Sequence, residues 1–338
     1  MLPDREFGRF EPGADPYEGI TPALRLEDIQ GHPRTAKPAL SIMMAFTNYR
    51  RSQIGRSLEC LARQQWTDFE VLVADIGSPQ EMESVFAPFY DLLNLTVIHV
   101  SRTGFLACPS RGFRALFPMA KGEVWCIMCP EIMLIERAAE YLYRGHNPSW
   151  RQEHDPQAGI YGRSRPAAET TDTTYINIRP GFLSPHGQRA IDAHDWHSRV
   201  ANVEKESDFW PFTGGLAAQP NSFWLGAVPF CQWYCSSLAA SATLWEDMPE
   251  MQGHASIDFW LMNYRDIFAY KEILPTGFLG YHQAHLITAV SPIGLGPNED
   301  ALTNKRAVLL AAKSKNRTIP PPGYVAWINQ CGGDLDAS

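Results

Sequence analysis

Several polar side chains stand where an α/β sheet does its chemistry. Thr47 and Asn48 follow the apolar run Leu40–Phe46, Asp75 ends the run Phe69–Ala74, and Glu131 follows the run Val124–Met128. In an open α/β sheet the ligand lies beyond the carboxyl ends of the strands, near a switch in strand order. Carboxylate and amide groups placed there can hold the base and ribose of a nucleotide. The phosphates need other partners. Neither G-x-G-x-x-G nor a Walker lysine follows the first run, so a dinucleotide dehydrogenase and a P-loop NTPase both lack their phosphate cradle. Arg102 and Arg111 flank the third strand and helix, where an arginine can reach a diphosphate or simply stay on the surface. Each acid has a plain alternative as well. Asp75 can close an Asx-turn, and Glu131 can be a solvated loop acid.

A repeating pattern of strands and helices must position these groups. Leu40–Phe46 is continuously apolar, the mark of a strand covered on both faces. A polar corner follows, and then a helix with Ile54, Leu58 and Leu61 on one stripe. Phe69–Ala74 predicts the second strand, and Ser78-Pro79-Gln80-Glu81 has the form of a capping box with proline at the first helical position. The helix it opens should bury Met82, Val85, Phe86 and Phe89. Leu95–Val100 predicts a third strand, Pro109–Met119 a third helix and Val124–Met128 a fourth strand. Another helix is expected near Ile135 to Arg144. Strands alternating with helices imply an α/β fold with a mostly parallel sheet, helices lying on both faces.

Outside this stretch the pattern changes. Residues 1–37 read as an extended leader. From Asn147 to about Gln188 the periodicity fades, with short strands expected at Tyr161, Tyr175 and Ile178. Phe209 to Trp245 is rich in aromatics, suited either to stacking on sugar faces or to ordinary packing. Trp224, Trp233 and Tyr234 are the candidates for stacking. A helix is expected from Asp258, with Ile257, Leu261, Tyr264 and Phe268 at helical spacing, and a strand-like stretch from Thr276 leads to His282. Residues 291–338 form a tail with one short helix, suited to a lid or to assembly.

Composition bounds the function. The chain has 338 residues, enough for a substantial core. Its 29 basic and 37 acidic residues give a net charge of −8, which makes nucleic acid a poor partner. Seven cysteines, an odd number, do not form a disulfide framework. The start is charged from Asp4 onward and no run reaches the ~20 apolar residues of a membrane span. A reducing, cytoplasmic compartment is the expectation. Cys126 with Cys129, and Cys231 with Cys235, read as buried free thiols rather than a zinc site, since Cys126 sits within an apolar strand.

Four segments, in this order and at this spacing, resemble family-2 glycosyltransferases of the GT-A fold. They are PALSIMMAFTNYR from Pro38, SLECLARQ from Ser57, DFEVLVADIGS from Asp68 and AKGE from Ala120. The resemblance is clear from Pro38 to about Tyr143 and weaker to His285. It implies a GT-A-type, Rossmann-like fold with a nucleotide-sugar-binding half over 38–146 and a loop- and aromatic-rich acceptor half over 147–290. It also implies a nucleotide-sugar donor, usually a UDP-sugar, with transfer to a hydroxyl acceptor and inversion at the anomeric carbon. By position, Thr47, Asn48 and Arg50 would lie beside the nucleotide, and Asp75 would bond the uracil or ribose. Arg111 stands where the family often has asparagine.

The family's metal motif, Asp-x-Asp after the fourth strand, is replaced by Cys129-Pro130-Glu131. The resemblance then leaves Glu131 to hold Mn²⁺ or Mg²⁺, or arginines to neutralise the diphosphate. His282 or His285 matches the family's late histidine, which completes the metal shell or touches the diphosphate. Asp258 best matches the catalytic base, the carboxylate that takes the acceptor's proton, although acids are also favoured in a first helical turn by the dipole alone. His254 and Glu250 are reserves. The missing acid motivates a second reading, a non-catalytic nucleotide-sugar-binding or scaffold protein on the same fold. A nucleotidyltransferase ranks lower, because Thr47–Arg51 has no glycine. Sugar transfer onto nucleic acid ranks lower because of the charge.

Overall fold

The protein is described by a computed structural model over residues 24–46, 51–78, 82–101, 109–135, 137–161, 174–178, 181–183, 187–188, 235–237, 271–277 and 279–283. In chain order the first elements are β1 (Leu40–Phe46), α1 (Arg51–Ala62), β2 (Phe69–Ile76), α2 (Glu83–Phe86), β3 (Leu95–Val100), α3 (Pro109–Leu116) and β4 (Val124–Met128). Then come β5 (Ile132–Leu134), α4 (Ala138–Arg144), α5 (Pro148–His154), β6 (Gly159–Tyr161), β7 (Thr174–Ile176) and β8 (Gly181–Phe182). The last described strands are β9 (Cys235–Ser237), β10 (Lys271–Leu274) and β11 (Gly280–His282).

The main sheet has the order β3-β2-β1-β4-β9. β1 to β4 are mutually parallel and β9 pairs antiparallel to β4. β1 is therefore central, which is why Leu40, Ile42, Met43 and Met44 are all fully buried. Its Leu40, Ile42 and Met44 pack in one cluster with Ile54, Leu58 and Leu61 of α1. On the other face α3 comes in closely. A Cβ on Gly112 would stand 3.0 Å from Ala45 Cβ and 3.1 Å from Ala74 Cβ. The α/β class and the flanking helices expected from the sequence are what forms.

Ser41 and Glu70, buried at the amino end of this sheet, are tied to each other and to the turn before β4. Ser41 and Glu70 are register partners across β1 and β2. Ser41 Oγ–H donates to Glu70 Oε1 at 2.7 Å, and the Lys121 N–H donates to the same oxygen at 2.7 Å. Gly122 N–H in turn donates to Ser41 Oγ at 2.8 Å. A Cβ on Gly122 would lie 2.5 Å from Ser41 N, so only glycine lets this turn close against β1.

Several local expectations are corrected. Ser78 Oγ is buried with no hydrogen-bond partner, while Pro79, Gln80 and Glu81 of the expected capping box lie outside the described residues. The helix α2 is described from Glu83, behind Met82. Pro88 and Pro118 then tighten the following turns into 3₁₀ geometry over Ala87–Phe89 and Phe117–Met119, so α3 stops at Leu116. Met82, Phe86 and Phe89 are buried as expected, whereas Val85 is half-buried. The stretch before α4 holds the strand β5, which the helical reading from Ile135 missed.

The loop-rich transition also contains a helix, α5, with Pro148 in its first turn. Its cap is Asn147, whose Oδ1 accepts from Ser149 N at 2.9 Å and Trp150 N at 3.2 Å. β6 and β7 contain Tyr161 and Tyr175, as expected, whereas Ile178 lies just past β7. Of the strand-like stretch from Thr276, only its end forms a strand, β11; Thr276 lies in the bend after β10, a strand that the reading missed. β10 pairs with β6 and β7, and β11 with β5 and β8. Beside the main sheet, residues 24–37 lie across α1. Arg63 pairs with Asp28 at 2.8 Å, and His32 Nε2–H donates to Ala62 O at 2.9 Å.

A buried polar knot joins α4, α5 and the end of β10. Asp155 accepts from Tyr141 Oη–H at 2.8 Å, from Thr276 N at 3.0 Å and from the Thr276 hydroxyl. Burial and the neighbouring Asp155 push the Tyr141 hydroxyl well above its ordinary range. Beside it His146 Nδ1 bonds Thr174 Oγ1 at 2.9 Å. Burial, and then the Arg151 cation, push His146 from 6.5 down to about 3.

Two outcomes follow. Gly122→Ala is expected to lower the unfolding free energy by about 1–3 kcal/mol, read from urea midpoints, because the added methyl meets backbone rather than a yielding side chain. His146 is held neutral when folded, while the unfolded chain binds a proton below 6.5. Its contribution is complete above that pH and is lost as the pH falls toward about 3. His146→Gln is therefore expected to flatten the fall of the urea midpoint between pH 6.5 and about 4.

Candidate functional site

Strand order reverses beside β1: the chain moves outward to β2 and β3 on one side, then returns to β4 on the other. The crevice beyond the carboxyl ends at such a switch is where ligands bind in open α/β sheets. Asp75 and Glu131 both come out there, on β2 and just past β4.

Asp75 is fully buried, and its Oδ1 has no hydrogen-bond partner. Oδ2 is held at 3.0 Å by Nδ1 of His99, its register partner on β3. Past Asp75 the chain turns at Gly77, whose φ of 66° suits glycine, and Gly77 N–H is fixed to Val100 O at 3.0 Å. Ser78 Oγ, next along, is the second buried orphan at this strand end. Buried polar atoms are normally matched, so two orphans within four residues mark a place where a donor is missing. Arg111, in the first turn of α3, donates from Nη2 to Ser101 Oγ at 3.3 Å, which sets it beside the end of β3. His99 was not legible from the sequence, because it reaches Asp75 only through strand pairing.

The turn Cys129-Pro130-Glu131 is held from two directions. From α1, Ser57 Oγ–H donates to Pro130 O at 2.7 Å. From β11, Gln283 N–H donates to Glu131 O at 3.0 Å. Gln283 is 0% exposed, and its side chain joins the two holds. Its Nε2 donates to Gln53 O at 2.9 Å and to Ser57 Oγ at 3.2 Å, while Oε1 accepts from Arg56 Nη1 at 3.5 Å. Arg56, Ser57 and Gln283 were not singled out from the sequence, where they read as ordinary polar positions. The pairing of β11 with β5 sets His282 opposite Ile132, one position from Glu131. Both Glu131 and His282 are buried.

Among the described residues no group of three or more His, Cys, Asp or Glu side chains could hold a metal ion. Glu131 with His282 offers one carboxylate and one imidazole, short of the six or more oxygens that Ca²⁺ or Mg²⁺ takes, so diphosphate and water would have to supply the rest. Cys60 and Cys126 are buried, and Cys129 is half-buried. No helix among the described residues is long and apolar enough to cross a membrane. Thr47, Asn48, Arg50, Arg102, Glu250, His254, Asp258 and His285 lie outside the described residues. So do Trp224, Trp233, Tyr234 and the tail 291–338.

No protein-family model matches the chain. Chondroitin synthase of Escherichia coli is 28% identical to it over 124 residues. The chain resembles family-2 glycosyltransferases. The matched stretch is 36% of this chain and 18% of the synthase, so it spans under a fifth of that relative's length. Among solved structures, S. aureus TarS 1–349 in complex with UDP-GlcNAc matches over 80% of this chain and 66% of its own. Its identity is 14% and its TM-score 0.47. Mannosyltransferase PcManGT from Pyrobaculum calidifontis, in complex with GDP-Man and Mn²⁺, matches over 92% of this chain and 73% of its own. There the identity is 15% and the TM-score 0.40.

In this glycosyltransferase-like chain the turn before β5 depends on the Ser57–Gln283 contacts. Ser57→Ala removes the donor to Pro130 O and leaves a buried carbonyl short of a partner, a loss of about 1–3 kcal/mol. Urea denaturation of the variant checks it. An unchanged midpoint would show that the turn is held by other means.

Proposed function

We propose that the chain is an inverting glycosyltransferase that moves a sugar from a nucleotide-sugar, a UDP-sugar, to a hydroxyl acceptor. The observation that carries this reading is Asp75. It is a carboxylate with no solvent exposure at the end of β2, beside the strand switch, with one oxygen lacking a donor. A carboxylate there takes a base N–H or a ribose hydroxyl, and Thr47, Asn48, Arg50 and Arg111 would line the rest of the nucleotide.

In the reaction the acceptor oxygen attacks the anomeric carbon as the bond to the β-phosphate breaks. Asp258 takes the acceptor's proton, and the nucleoside diphosphate leaves with the electron pair. A divalent ion, Mn²⁺ or Mg²⁺, supplies charge neutralisation for that leaving group when bound. Glu131, His282 and His285 are the residues that would hold it. Arg102 and Arg111 are the arginines that would share the load. The seven cysteines, an odd number, suit a reducing, cytoplasmic setting. One observation favours the second reading, nucleotide-sugar binding without turnover: Glu131 is the lone acid of its turn.

Calorimetric titration with UDP, in Mn²⁺ and again in EDTA, tests the reading. Binding that needs Mn²⁺ and weakens in Glu131→Ala supports an ion at that turn, while equal binding in EDTA assigns the diphosphate to arginines. No binding in either buffer overturns the UDP donor. Asp258→Asn is expected to leave UDP affinity within about twofold while sugar transfer falls about 100-fold or more, as for loss of a general base. Binding and donor hydrolysis both unchanged in that variant would remove Asp258 from the mechanism.

A further inference from the structure

The pairing of Asp75 with His99 carries a consequence for recognition that rests on the nucleotide-binding reading above. The two residues are register partners on adjacent parallel strands, so the contact is set by the sheet and not by a loop. Their side chains differ sharply in exposure: Asp75 is 0% exposed and His99 61%. An ionised carboxylate can only accept, so the His99 nitrogen in the 3.0 Å contact is the protonated Nδ1–H, donating to Oδ2. The other oxygen, Oδ1, is buried and unpartnered.

A contact to a half-exposed histidine adds little to stability. What it does add is orientation. A carboxylate at the end of a side chain can rotate about its last bond, exchanging its two oxygens. With Oδ2 tied to a strand-borne imidazole, that rotation stops, and one acceptor stays committed to the ligand. We propose that His99 is a positioning residue for nucleotide recognition, fixing Asp75 so that Oδ1 accepts one hydrogen bond from the nucleoside. The donor is the base imide N–H or a ribose hydroxyl, since a carboxylate oxygen can receive either. His99 is then to Asp75 what an outer partner is to a ligating group: it decides the direction of the contact without making it.

UDP titrations of the full chain test this. His99→Ala is expected to weaken UDP about tenfold, the ~1.4 kcal/mol typical of one hydrogen bond. His99→Asn, whose amide N–H stands near the place of Nδ1–H, is expected within about threefold of the parent chain. His99→Gln carries its amide one methylene too far and should behave like the alanine variant, which keeps the test open should His99→Ala fold poorly. Adding His99→Ala to Asp75→Ala should cost nothing further, as for residues acting through one contact. UDP methylated at N3 and 2′-deoxy-UDP then separate the base from the ribose: whichever loses its sensitivity to His99→Ala names the donor that Oδ1 receives. If Asp75→Ala weakens UDP and His99→Ala does not, the positioning role is overturned while the nucleotide site stands. If Asp75→Ala binds UDP as the parent does, or the parent binds none, the reading beneath it falls and this inference with it.

Discussion

Gln283 is the constraint on which the candidate site depends. Its amide is wholly buried, so every donor and acceptor it carries must be matched inside the protein. It meets that demand with Gln53, Ser57 and Arg56 of α1, residues 226 to 230 positions away in the chain. Its main-chain N–H meanwhile holds Glu131 O. α1, the turn after β4 and the end of β11 are thereby fixed as one unit. The short pairing of β5 with β11 sets the register of His282 beside that unit. The segment just past α1 serves similarly. Gln64 Nε2 donates to Leu134 O at 3.3 Å, and its Oε1 accepts from Ala139 N at 3.0 Å, so this residue seats the start of α4.

The two ends of the parallel sheet have opposite hydrogen-bond economies. At the amino end Ser41, Glu70, Lys121 and Gly122 satisfy one another, and a glycine lets the backbones touch. At the carboxyl end Asp75 Oδ1 and Ser78 Oγ remain without partners. Under the proposed function, the open oxygens at the carboxyl end are the ones that a nucleotide's donors would fill.

This view also weighs the altered metal motif. A site with two acids after β4 would carry most of an ion's charge by itself. Here the single acid Glu131 is buried in a turn whose main chain is tied down by Ser57 and Gln283. Under the proposed function, positive charge near a diphosphate would then come more from an ion brought with the donor or from arginine, and Arg56 is already built into the turn's support. The two readings, sugar transfer and bare nucleotide binding, would share the Asp75 end of the sheet and part company at Glu131.

How much of this was legible in the sequence varies by element. β1 to β4 and α1 were readable at nearly their true bounds, because a central parallel strand must be apolar on both faces and a covering helix must carry a stripe. Asp75 and Glu131 were placed correctly at strand ends for the same reason. The short elements were not readable. β5 and β8 span three and two residues, too few to show a period, and are strands only because β11 runs between them. Ser78 Oγ, expected to cap a helix, is instead a buried hydroxyl without a partner just past the turn at Gly77, which is bound to Val100. By itself the sequence determined the layers, since burial of apolar faces is a local demand repeated along the chain. Only the tertiary structure decided the company each polar group keeps. His99 reaches Asp75 across a strand pair, and Gln283 reaches Ser57 across most of the chain, because a hydrogen bond depends on distance in space and leaves no trace in spacing along the chain.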